Sequence, residues 1–140
     1  MNRVVITGFG VASPIGNDEE TFLKNLKEGN HGFGPITRFD ASETGISVAA
    51  EVKDFPLEKY TKRMETYSLY AIYSALEALE MSGINTEEEN MERFGVMIGS
   101  GVGGLGTIQD QVLKMDAKGP ARVSPMFVPL AIANMAAGNV

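Results

Sequence analysis

The chain has 140 residues, 44% hydrophobic and 21% charged, the composition of an ordinary globular domain and not of a disordered or fibrous chain. With 18 acidic against 12 basic residues its net charge is −6, the wrong sign for a nucleic-acid binder. It holds no cysteine, which excludes a disulfide framework, a thiolate metal site and a cysteine nucleophile among these residues.

In chain order, Val4-Val5-Ile6 followed by Thr7-Gly8-Phe9-Gly10 is a short apolar run closed by glycine, as expected of a strand buried on both faces of a parallel sheet. Gly8, Gly10 and Pro14 interrupt it, so it reads as strand and turn, not as a secretory signal. Asn17-Asp18-Glu19-Glu20 opens a helix with a capping pattern, Phe22, Leu23 and Leu26 share one face, and Gly29 stops it. Residues 30 to 60 carry Gly34-Pro35, Gly45 and Pro56 and are expected to be loop, with a short strand within Ile46 to Val52.

From Lys62 to Ser82 the positions Met64, Tyr67, Ala71, Ile72, Ala75, Leu76 and Leu79 recur at helical spacing, and Gly83 ends the helix. Thr86-Glu87-Glu88-Glu89 predicts a short acidic helical turn. Phe94 to Ile98 is a second buried-strand candidate, then come Gly99-Ser100-Gly101-Val102-Gly103-Gly104, a helix from about Leu105 to Met115, and a last helix over Pro129 to Ala137. This order predicts an α/β layered architecture with a mostly parallel sheet flanked by helices. No run approaches the ~20 apolar residues that cross a bilayer, so the expectation is a cytoplasmic protein without membrane contact.

Gly99, Gly101 and Gly104 satisfy G-x-G-x-x-G between a strand candidate and a helix, the setting in which that fingerprint holds a pyrophosphate. The fingerprint also needs a carboxylate about 20 residues on, at the end of the next strand. After Gly104 the sequence offers Asp116 and then Gly119-Pro120 with no strand between; after Gly8 and Gly10 the matching distance falls at Glu28, near a helix end. Dinucleotide binding is therefore disfavoured. A P-loop is excluded because neither glycine run continues into Gly-Lys-Ser/Thr. The plain alternative is that the glycines allow tight turns and close backbone approach.

Three segments together resemble the β-ketoacyl-acyl carrier protein synthases, most closely the type II enzymes: Arg3 to Gly16, Ile98 to Gly104, and Ser124-Pro125-Met126-Phe127-Val128-Pro129 with Asn134-Met135-Ala136-Ala137-Gly138. The resemblance runs the whole chain, residues 1–140. It implies the N-terminal part of a thiolase-like domain, incomplete at Val140, from an enzyme that works as a homodimer. The implied activity is an acyltransferase step of fatty-acid biosynthesis, the decarboxylative Claisen condensation of an acyl thioester with malonyl-acyl carrier protein. No cofactor is implied beyond the phosphopantetheine that carries the thioesters.

The family's catalytic cysteine and two histidines have no counterpart here, so no catalytic residue is assigned in this chain and the 140 residues alone are expected to be inactive. The only histidine, His31, sits at a loop position that matches none of them. The resemblance places Val102, Phe127 and Ala131 in the wall of the acyl pocket, where each buried CH2 of a substrate chain stabilises by about 0.8 kcal/mol. It places Lys62, Arg63 and Arg122 where the acidic carrier protein docks, with Ala121 standing where a second basic residue is common. Gly99, Gly101, Gly103 and Gly104 form a structural loop, and Asn134 has a structural role. A non-catalytic binding module of condensing-enzyme-like fold is the alternative. Without the remainder of the fold, the apolar faces of Val4 to Ile6 and Val96 to Ile98 are expected to be incompletely covered.

Overall fold

A computed structural model describes residues 3–56 and 63–140. Helix α1, Glu19–Glu28, begins one residue later than the capping pattern suggested: the Asp18 carboxylate accepts from the Thr21 N–H at 2.8 Å. The neighbouring Asn17 instead donates through its side-chain amide to the Lys53 carbonyl at 2.6 Å. Gly29, at φ 72°, closes the helix, with the Asn30 N–H returning to the Asn25 carbonyl. Two short strands follow, β1 (Phe33–Pro35) and β2 (Val48–Ala50), paired antiparallel with Phe33 opposite Ala50 and Pro35 opposite Val48. β2 lies inside the stretch expected to contain a strand. β1 falls on Gly34-Pro35, which as sequence signals a turn.

Helix α2, Thr66–Ser82, is the spine of the molecule. Its helical spacing was legible, but it starts four residues after Lys62, because the Glu65 side chain takes the N-cap and accepts from the Thr66 N–H at 3.1 Å. The buried core gathers around it: Ser68 and Leu69 are each 1% exposed, Phe55 meets Tyr70 and Tyr73 edge-on, and Ala136 packs beneath. Residues 86–88 form a turn organised not by Thr86 but by Asn85, whose side-chain oxygen accepts from the Glu87 N–H. A single 3₁₀ turn, Met91–Arg93, comes next. Helix α3 runs Leu105–Lys118, a second 3₁₀ turn spans Pro120–Arg122, and the C-terminal region holds α4 (Phe127–Ala131) and α5 (Met135–Asn139).

Two expectations are corrected. Among the described residues the only sheet is the two-stranded antiparallel ribbon, so no parallel sheet is present. Val4 to Ile6 and Phe94 to Ile98 are neither strands nor buried: Val4 is 92%, Ile6 91% and Met97 99% exposed. An apolar run becomes a strand only when a neighbour supplies backbone partners, and among the described residues no strand pairs with either run; just after the first run, the chain meets a helix. The Phe9 N–H donates to Met81 Sδ and the Val11 N–H to the Glu77 carboxylate at 3.0 Å, both on α2. The same contact explains the first glycine pair. A Cβ on Gly8 would lie 2.1 Å from the Ala78 carbonyl oxygen, and one on Gly10 2.1 Å from that of Ser74, so only glycine lets α2 cross this segment.

The second correction concerns the last helix. It was expected to be continuous over Pro129 to Ala137, yet Ile132 turns extended (ψ 134°) and splits it into α4 and α5. The break falls where tertiary donors claim the chain: the Ala131 carbonyl accepts from the Gly104 N–H at 3.0 Å and the Ile132 carbonyl from the Tyr67 hydroxyl at 2.6 Å. No helix among the described residues is long and apolar enough to cross a membrane.

Candidate functional site

The start of α2 and the start of α3, just after the glycine loop, converge on one carboxylate. Glu65 Oε2 caps α2, while Oε1 accepts from the Thr107 N–H at 2.9 Å and from the Thr107 hydroxyl. Thr107 is the third residue of α3, whose own N-cap, Gly104, has no side chain to offer. One negative charge thus sits at two helix N-termini, where unsatisfied N–H groups and the helix dipoles both favour it. The sequence reading missed this residue, since a helix begun at Lys62 leaves Glu65 on its surface; the signal was an acidic side chain directly before Thr66.

The loop itself divides in two. Gly103, at φ 83°, and Gly104 press against the end of α4: added Cβ atoms would lie 2.3 Å from the Ala131 and Leu130 carbonyl oxygens respectively. Gly103 also donates its N–H to Ser100 Oγ at 3.0 Å, which folds the loop on itself. Gly99 and Gly101, by contrast, face open space. The structure therefore joins Gly103, Gly104 and Ala131, with Ala131 buried at 7% exposure. Phe127 begins α4 half-buried, and Val102 stands out at 57% exposure.

Two hollows among the described residues lie elsewhere. A polar cleft of about 940 Å³ is lined by Ser13, Asn17, Asp18, His31, Lys53 and Tyr73. An apolar groove of about 680 Å³ runs between α2 and the exposed segments, with Ile72, Leu76, Leu79, Phe94 and Met97 in its wall. Neither includes Val102, Phe127 or Ala131. In the polar cleft, burial and the Glu77 carboxylate raise the Tyr73 phenol above its ordinary range, and its hydroxyl bonds to the Asn17 carbonyl. His31 is exposed and tilts against Phe33 with ring centroids 5.7 Å apart, the loop position its sequence context suggested.

Of the basic positions, Lys62 lies outside the described residues. Arg63 is exposed three residues before α2, and Arg122 is exposed on the 3₁₀ turn beyond α3. Arg122 follows the far end of α3 (Leu105–Lys118), whereas the Glu65 junction is at its start. Asn134 precedes α5, but its side chain makes no capping bond; its carbonyl accepts from the Gly138 N–H at 3.1 Å.

Over residues 1–140 the chain matches the family model described as beta-ketoacyl synthase, N-terminal domain. The chain belongs to that family. Among curated relatives it is 41% identical over 141 residues to the 3-oxoacyl-[acyl-carrier-protein] synthase 2 of Synechocystis sp., covering 97% of this chain and 34% of that one. It is 43% identical over 143 residues to the protein of the same name from Staphylococcus aureus strain COL, covering 99% and 34%. A solved beta-ketoacyl synthase from Burkholderia phymatum superposes on all of this chain and 36% of its own length, with TM-score 0.78 and 28% identity. The chain thus shares the fold of a solved ketosynthase and spans about a third of the length of the relatives it matches.

Proposed function

We propose that this chain supplies the N-terminal portion of a 3-oxoacyl-acyl carrier protein synthase, which extends an acyl thioester by decarboxylative condensation with malonyl-acyl carrier protein in fatty-acid biosynthesis. The observation that carries the reading is the end-to-end match: relatives of that name align with 97% and 99% of the chain at 41% and 43% identity. In this reading the nucleophile and the histidines that assist decarboxylation come from residues outside the chain, which has no cysteine. The reaction draws on no cofactor beyond the carrier's phosphopantetheine.

The local roles follow from what each element can offer. Val102 projects from a loop anchored at Gly103 and Gly104, so its bulk bears on an acyl tail from a fixed position. Phe127 and Ala131, at the two ends of α4, supply further apolar wall. The exposure of Val102 fits a pocket completed by other parts of the protein and by a second subunit of a homodimer. The exposed apolar segments at 4–6 and 94–98 likewise fit strands that join a mostly parallel sheet of the thiolase-like layered fold in the complete enzyme. Lys62, Arg63 and Arg122 would meet the acidic carrier protein, attraction of opposite charges raising the encounter rate more than the final affinity. A cytoplasmic setting agrees with soluble carrier-bound substrates.

The test is a condensation assay with acyl- and malonyl-carrier protein. The full-length protein should release carbon dioxide and form the 3-oxoacyl thioester, and residues 1–140 alone should do neither. Condensation by the isolated chain, or none by the full-length protein with carrier substrates of any acyl length, overturns the proposal.

A further inference from the structure

Val102 and Ala131, the two wall positions of the acyl-pocket reading, are carried by different elements and joined through one backbone bond. Val102 stands on the loop that leads into α3, and Ala131 ends α4. The Gly104 N–H donates to the Ala131 carbonyl at 3.0 Å, and both residues are buried. One hydrogen bond constrains one distance, and two elements can still pivot about it.

The first turn of α2 removes that freedom by reaching both elements. On the α3 side, Glu65 Oε1 accepts from the Thr107 N–H at 2.9 Å and from the Thr107 hydroxyl. The carbon stem of Glu65 packs on Gly104, where an added Cβ would lie 2.9 Å from Glu65 Cγ. On the α4 side, the Tyr67 hydroxyl donates to the Ile132 carbonyl at 2.6 Å, at the residue where the chain turns extended between α4 and α5. Ser68 and Leu69, which follow Tyr67, are each 1% exposed, so the turn that carries both side chains is anchored in the core. Two elements tied at separate points to one rigid helix, and to each other, keep a fixed separation and angle.

We infer that Glu65 and Tyr67 are positioning residues that hold the Val102 and Ala131 walls at a set separation, and so decide how long an acyl chain the site accepts. The inference rests on the acyl-pocket reading above and adds to it residues that touch no substrate. The bulk of a wall residue limits chain length only if the opposite wall stays in place, and displacements of about 1 Å in a supporting contact change turnover many-fold.

The experiment measures steady-state condensation by the full-length protein with hexanoyl- and palmitoyl-carrier protein at saturating malonyl-carrier protein. Thr107→Val and Tyr67→Phe each delete one hydroxyl with little change of shape. Each should raise KM for the palmitoyl substrate about fivefold relative to that for the hexanoyl substrate, with kcat changing less than KM, as expected when binding alone is weakened. Thr107→Ser keeps the hydroxyl and should keep the wild-type ratio. Asp18→Ala removes the cap of α1, away from these contacts, and should lower the thermal midpoint without moving the ratio. If Thr107→Val and Tyr67→Phe leave the ratio at the wild-type value while Val102→Phe shifts it, the inference fails and the acyl-pocket reading stands. If Asp18→Ala shifts the ratio as much as they do, the effect belongs to stability and the inference fails. If Val102→Phe has no effect on the ratio either, the pocket reading fails and the inference with it.

Discussion

Gly8-Phe9-Gly10 and Gly99-Ser100-Gly101 look alike as sequence, each a glycine pair after an apolar run, yet they do opposite things. The first pair lies under α2 so closely that the carbonyls of Ser74 and Ala78 occupy the places where side chains would stand. The second pair faces open space, and only its continuation, Gly103 and Gly104, is packed, against the end of α4. Glycine in the first region is a packing requirement on both residues. In the second it is required at the anchor, and the tip, with Val102 on it, is left exposed.

Breaking the packed pair should have the largest effect. Gly10→Val places its Cβ against a helix backbone, which cannot yield without moving α2, and a loss of about 3 kcal/mol is expected, read as a lowered urea midpoint. Gly101→Ala should change stability by no more than about 0.5 kcal/mol. Equal losses at the two sites would erase the distinction drawn between the loops.

The next effect tests the anchor of the second loop. Glu65→Ala removes the carboxylate shared by α2 and α3 and should cost about 2 kcal/mol, the upper range for loss of a helix cap. Thr107→Val should then cost less in the Glu65→Ala background than in wild type, because the bond it removes is already gone. Additive losses would show that Glu65 acts on α2 alone.

At the tip, Val102→Phe should leave the thermal midpoint unchanged, since the side chain is mainly exposed. In the full-length protein it should lower kcat/KM for long acyl chains by about tenfold while sparing short ones, a difference of about 1.4 kcal/mol. Equal loss for every chain length would remove Val102 from the acyl pocket.

The smallest effect lies at the start of α1. The Thr21 N–H bonded to the Asp18 carboxylate holds that group below its ordinary range. A lowered folded pKa adds stability that is present above the unfolded value, near pH 4, and lost as pH falls through the folded one. Asp18→Asn should therefore remove a small acid-side decline in the helical circular dichroism signal that sets in below about pH 4. An unchanged decline would assign it to other carboxylates.

Local chemistry written into neighbouring residues was legible without the structure: the start of α1 to within one residue and its Gly29 stop, the apolar spacing of α2 and its end at Gly83, the glycine-led start of α3. These depend on interactions within a few positions, and the family resemblance likewise rests on contiguous motifs. Partners distant in sequence decided the rest. Whether Val4 to Ile6 becomes a strand depends on a neighbouring backbone, and here the run lies exposed while α2 side chains meet the chain only from Phe9 onward. The interruption at Ile132 depends on Gly104 and Tyr67, residues with no mark in the sequence of the helix they divide. Glu65 could serve two helices only once folding brought Thr107 beside it, and Lys114, Lys118 and Arg122 could share a cavity only after the chain reversed at Gly119. Hydrogen bonds and charges act over a few ångströms of space, and only the folded chain fixes which residues come within that reach.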